Sequence, residues 1–135
     1  MVMAGYCTSK VIVFGWLAWR GRVKTAVFLH RIGVLLANTN ILCVFCKNEV
    51  ETVNHVLLHC PLVWKVWAGI LNWWDVCWVM SGSVEALLQW WASARFKKKV
   101  MCIWKIVPLL LLWSIWKLRN EIVFNGGQVN FADLE

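Results

Sequence analysis

The sequence predicts a mainly α-helical fold, and three observations carry that expectation. Apolar residues recur at three- and four-residue spacing in several separate stretches, which is the helical period. The only pieces that could be strands are short and flank Cys43 and Cys46, which allows a short hairpin at most. Apolar residues make up 61 % of the chain and charged ones 16 %, below the typical quarter or so, so a packed core is expected rather than disorder. Twelve tryptophans among 135 residues read as core and interface material, because each buries a large area.

Taken in order, the first helix is expected from Lys10 to Arg20, with Val11, Phe14, Leu17 and Ala18 on one face and Gly21 ending it. Thr25 can cap a second helix, Ala26 to Arg31, which stops at Gly33. Asn38, Thr39 and Asn40 form a turn signal, and Lys47, Asn48 and Glu49 a second one after Cys46. Thr52 reads as the N-cap of a short helix to about His59, with His55 at the end of its first turn. Pro61 suits the first position of the next helix, where its missing N–H costs nothing. There Val63, Trp64, Trp67, Ile70 and Leu71 repeat at helical spacing to about Trp74, and the Trp64 and Trp67 face is expected to pack on the N-terminal helices. Ser81-Gly82-Ser83 is a loop, Val84 to Ala94 an amphipathic helix, and Val100 to Asn120 a long apolar helix with a local disturbance at Pro108. From Asn125 onward, with Gly126 and Gly127, no pattern survives.

The chemistry is concentrated between Cys43 and Cys60. Cys43 and Cys46 stand two residues apart, His55 follows after eight more and Cys60 after another four. Three thiolates and an imidazole make the tetrahedral shell that zinc prefers, with no position left for a catalytic water, so one structural ion is expected. His59 lies four residues after His55 and could share its helix face, which leaves a Cys-Cys-His-His set as the alternative. Cys60 is preferred as the softer ligand at the helix end. The metal would fix the entry angle of the helix that begins at Pro61. The remaining cysteines, Cys7, Cys77 and Cys102, show no pairing pattern, which suits a reducing compartment.

A net charge of +7 favours an anionic partner, and nucleic acid is the usual one for a small basic zinc protein. The cations fall in two groups, Arg20, Arg22, Lys24 and Arg31 around one turn, and Arg95, Lys97, Lys98 and Lys99 in a block. The apolar stretch Val11 to Trp19 runs straight into Arg20-Gly21-Arg22 without a cleavage site of small residues, so the chain is read as intracellular, nuclear or cytoplasmic, and not secreted. Residues 100–116 are the membrane candidate. Lys105 and Pro108 interrupt them, leaving fewer than the ~20 apolar residues of a spanning helix, so a buried helix is the better reading. Catalysis by paired metal ions needs several carboxylates, and the two aspartates, Asp75 and Asp133, are far apart. No phosphate loop or triad pattern is visible, so the expectation is a non-enzyme without catalytic residues or a small-molecule substrate.

The combined pattern resembles a known family. Phe14 to Thr25, Leu29 to Gly33, Cys43-x2-Cys46, Glu51-Thr52-x2-His55, Cys60-Pro61 and Trp67 are similar to the zinc-binding domain that follows the reverse transcriptase domain in plant non-LTR (LINE-type) retrotransposon polyproteins. Trp113-x2-Trp116, Arg119, Asn120, Phe124 and Gly126 look like the segment leading toward an RNase H-like domain. The resemblance implies Cys43, Cys46, His55 and Cys60 as zinc ligands, and an acid at Glu51 that would favour the following helix N-terminus through its charge. It also implies three parts: 1–80 as the zinc-binding domain with the knuckle at 43–60, 81–124 as an apolar helical extension, and 125–135 as the start of a linker.

The function expected first is a non-catalytic accessory module of a retrotransposon reverse transcriptase that binds RNA or DNA. Arg20, Arg22, Lys24, Arg31, Lys97, Lys98 and Lys99 would contact phosphates, and Phe45, taken as exposed, would stack on a base. The second expectation is a structural connector between the polymerase and RNase H-like domains, or a decayed retroelement fragment. Its high apolar content would face the neighbouring domains of the polyprotein. The third is a membrane-associated protein anchored by residues 100–116.

Overall fold

The structure is a computed structural model that describes residues 9–35, 40–76, 82–93 and 97–125. Its elements are α1 (Ser9–Trp19), α2 (Ala26–Arg31), a π-helical turn (His55–His59), α3 (Pro61–Trp73), α4 (Val84–Ser93) and α5 (Lys98–Asn125). Among the described residues there is no β-strand beyond one antiparallel bridge, Leu42 to Val50, so the mainly α expectation holds. Cys7, Asn38, Thr39, Cys77, Ser81, Ala94, Arg95 and the tail from Gly126 lie outside the described residues.

The helix signals act where the sequence places them. Thr25 Oγ1 accepts from the Phe28 amide at 3.2 Å and opens α2. Gly33, with φ of 83°, stands in the left-handed conformation just past the end of α2. In front of α4, Ser83 Oγ accepts from the Ala86 amide at 3.1 Å, and Asn54 Oδ1 takes the Val84 amide at 3.0 Å, tying this helix to the turn before His55.

α5 is the backbone of the packing. Its 28 residues extend about 42 Å, longer than the sequence suggests, and it runs on through Pro108. By length and composition it is apolar enough to cross a membrane, so Lys105 and Pro108 do not shorten it as expected. Trp104, Leu111, Leu112 and Ile115 on it are nevertheless buried in the same core as Phe14, Leu57, Trp67 and Leu87. α1 packs closely along α5: a Cβ at Gly15 would come within 2.6 Å of Leu109 Cδ2, so a bare backbone at this position lets the two helices approach. Phe14 beside it meets the rings of Trp113 and Trp116 at 5.5 and 5.8 Å.

Trp67 departs from its expected direction. Its ring lies edge-on to Trp91 of α4 at 5.7 Å, and its indole N–H donates to the Leu57 carbonyl at 2.9 Å. Trp91 in turn stacks on Trp104 at 4.2 Å, and the pair exchange hydrogen bonds: Trp91 Nε1 donates to the Trp104 carbonyl at 2.7 Å and Trp104 Nε1 to the Trp91 carbonyl at 2.8 Å. Aromatic pairs contribute about 0.5–1.5 kcal/mol beyond their buried area, so this cluster is a centre of the fold rather than a binding surface.

Candidate metal centre

The site is built on two short pieces of backbone. In the first, the Cys43 amide donates to the Glu49 carbonyl at 2.7 Å and the Lys47 amide to the Cys43 carbonyl at 2.8 Å, folding Cys43 to Glu49 into a tight knuckle. Lys47, with φ of 56°, takes the left-handed conformation that this reversal needs. The Glu51 amide closes the base of the knuckle on the Ile41 carbonyl at 2.7 Å.

The second piece is the turn that carries His55 and Cys60. Thr52 Oγ1 accepts from the His55 amide at 3.0 Å, the cap expected from the sequence. The turn then widens, and the Cys60 amide reaches back five residues to the His55 carbonyl at 2.7 Å. In a regular α-helix two side chains five residues apart point about 140° away from each other. The wider π turn brings them toward one side, and such turns are frequent at functional sites.

The result is one cluster. The Sγ atoms of Cys43, Cys46 and Cys60 and a ring nitrogen of His55 all lie within 4.8 Å of one another. The edge of a tetrahedron with ~2.3 Å zinc–sulfur bonds is roughly 3.8 Å, so a donor set of three sulfurs and one imidazole nitrogen in this arrangement fits a closed zinc shell. Cys46 Sγ and His55 Nε2 are 3.3 Å apart. Cys43 and Cys60 are buried, Cys46 and His55 half-buried, and no disulfide joins any of them. His59 is not a member of the cluster, which favours Cys60 over it as the sequence did.

The thiols of Cys43 and Cys60 are coupled by a hydrogen bond between them. The Cys43 thiol is pushed far up by its hydrogen bond to Cys60 and by burial, while the bond from Cys43 holds Cys60 below the usual thiol range. Burial lowers His55, keeping the imidazole in the neutral form that can ligate. Metal competes with protons for this shell, so affinity falls as the medium is acidified.

Glu51 is the residue whose role the sequence misplaces. It is fully buried, and its carboxylate serves α2 rather than the helix that follows it: Oε1 accepts from the Ala26 amide at 2.8 Å. The same carboxylate takes two bonds from Arg119 of α5, Nη2 to Oε1 at 2.6 Å and Nε to Oε2 at 3.1 Å. Arg119 also lies over the Trp116 ring at 4.5 Å. One buried ion pair thus joins the knuckle, α2 and α5. A lone arginine in an apolar helix was the signal available for it, since such a charge needs a partner when buried.

The other candidate residues divide by exposure. Arg20, Arg22, Lys24, Arg31, Lys97, Lys98 and Lys99 are all exposed, and Arg20 lies 5.7 Å over Trp16. Phe45 is not available for stacking: only 6 % exposed, it is part of the core beneath the knuckle.

Fold and site together define a small helical zinc-binding domain with one structural zinc as its cofactor. Residues 1–67 match the family model for zinc-binding in reverse transcriptase, and this part of the chain belongs to that family. No curated protein and no solved structure matches the chain.

Proposed function

We propose that this reverse-transcriptase-associated zinc module is a non-catalytic, nucleic-acid-binding part of a retrotransposon polyprotein, with Cys43, Cys46, His55 and Cys60 holding the ion. The convergence of those four donors inside the family segment is the observation that carries the reading. Bound zinc supplies a closed cross-link between the knuckle and the π turn, not an open reaction centre. Glu51, an acid beside the site, is consumed by its pair with Arg119.

The cations support an RNA or DNA partner. Lys97, Lys98 and Lys99 are exposed at the start of α5, where positive charge opposes the helix dipole, so helix stability does not account for them. Arg22 and Lys24 flank the turn whose far end is fixed to Glu51 and hence to the knuckle. An intracellular setting, nuclear or cytoplasmic, suits a shell of reduced thiols. The neighbouring partners in this reading are the reverse transcriptase and RNase H-like domains, with residues 1–80 as the zinc-binding unit, 81–124 as its helical extension and 125–135 as a linker.

A second reading, the structural connector, is favoured by the exposed apolar face of α1, where Ile12, Val13 and Trp16 are each more than half exposed. A third, membrane association through α5, rests on length and composition alone.

Elemental analysis and oligonucleotide binding on the same preparations test the first reading. The unaltered chain and His59→Ala should carry one zinc and bind RNA with an affinity that falls steeply with salt, whereas Cys60→Ser should lose both. Zinc retained by Cys60→Ser would overturn the ligand set. A zinc-loaded chain indifferent to nucleic acid at low salt would leave the connector.

A further inference from the structure

We infer that the groove between the turn after α1 and the last turns of α5 seats single-stranded nucleic acid, one base stacking on Phe124 while Arg22 and Lys24 hold the flanking phosphates. The inference rests on the nucleic-acid reading above and gives it a place on the molecule.

The groove has a volume of about 400 Å³, and Arg22, Lys24, Leu29, Trp116, Asn120 and Phe124 line it. Its first wall is held in shape. Gly21 turns the chain with φ of 68°, the Arg22 amide bonds to the Leu17 carbonyl at 2.9 Å, and Thr25 at the far end is buried. Arg22 and Lys24 are exposed on this wall. The second wall is a helix face, because Trp116, Asn120 and Phe124 follow one another at four-residue steps. Trp116 is committed to Phe14 and Arg119 and forms a fixed base. Phe124 is 73 % exposed, which is unusual for so large an apolar ring.

This combination selects its ligand. The groove is mostly apolar, with Arg22, Lys24 and Asn120 as its polar groups apart from Arg119, which is paired with Glu51, and no carboxylate among its lining residues, so a ligand that joins a flat apolar face to an anionic group, as a base joined to its phosphate does, suits it. An exposed aromatic ring next to phosphate-binding cations is how proteins take unpaired bases, and a duplex keeps its bases stacked on each other and out of reach. Phe124 therefore takes the place that the sequence assigned to the buried Phe45.

Fluorescence anisotropy with labelled uridine and thymidine dodecamers and a matching duplex, on the zinc-loaded full chain, tests the site. The single strands should bind more tightly than the duplex, and the ratio between the two dodecamers shows whether RNA or DNA is preferred. Phe124→Ala should weaken single-strand binding about ten-fold, with Phe124→Trp restoring it. Arg22→Gln combined with Lys24→Gln should reduce the salt slope by about 1.4, two phosphates' worth. Trp73→Ala, an exposed ring on α3 outside the groove, should leave affinity unchanged. If the chain binds but Phe124→Ala and Trp73→Ala behave alike, the groove is wrong and nucleic-acid binding stands on another surface. If no oligonucleotide binds, both the groove and the reading beneath it fail.

Discussion

Glu51 and Arg119 show what a single buried charge demands. Both are buried, and the carboxylate is satisfied only by combining a backbone amide of α2 with both bonds from the guanidinium. Removing one partner leaves an uncompensated charge in the core, which typically costs about 3–5 kcal/mol. Arg119→Met should therefore lower the stability of the zinc-loaded chain by about that amount in urea unfolding, and adding Glu51→Gln should recover part of it. A loss below about 1 kcal/mol would show that water reaches the pair. At this scale the sequence was most legible in the ligands. Cys43, Cys46, His55 and Cys60 are close enough along the chain for spacing to report geometry, whereas Glu51 and its partner stand 68 residues apart and no local pattern links them. Phe45 was misread for a related reason: a knuckle residue looks exposed until the core it joins is assembled.

At the scale of elements, Pro61 opens α3 at no cost, whereas Pro108 stands inside α5 and needs a replacement for the bond it removes. A proline has no N–H, so the carbonyl four residues earlier loses its helical partner. For Pro108 that carbonyl is Trp104's, and Trp91 Nε1 donates to it at 2.7 Å. An indole group thus replaces the missing amide, and α5 crosses Pro108 without ending. The expected disturbance is absorbed by a side chain from another helix. Trp91→Phe should cost about 1–3 kcal/mol by orphaning the Trp104 carbonyl, and less in a Pro108→Ala background, where the restored N–H can take it. A double-mutant cycle by chemical denaturation measures this coupling, and strict additivity would refute it. The helices themselves were readable from period, caps and glycines. The π turn was not, because the sequence between His55 and Cys60 has the same apolar run in either helical form.

For the whole molecule, the family segment and the folded unit have different ends. The match stops at residue 67, inside α3, yet the core continues through Leu87, Trp91, Trp104, Leu112 and Ile115. A fragment ending at Val76 would lack α4, α5 and the Arg119 side chain. It should hold zinc weakly and unfold without a cooperative transition, while the full chain retains one ion and melts sharply; calorimetry with zinc analysis on both decides it. A stable zinc-loaded fragment would show that the knuckle folds without the C-terminal helices. Composition predicted a large core but could not say that the helices beyond the family segment share it, since that depends on which helices meet. The distance from Glu51 to Arg119 also has a meaning in time. At about 5–20 residues per second a ribosome needs on the order of 3 to 14 seconds to make the 68 residues that follow Glu51 up to and including Arg119. Once Cys60 has been made, and until Arg119 follows, the nascent knuckle has all four metal donors but not the cation that neutralises its inner carboxylate. Zinc capture can thus precede the closing of the fold, and a chain whose synthesis stalls in this interval exposes an unfinished, apolar surface to the cell.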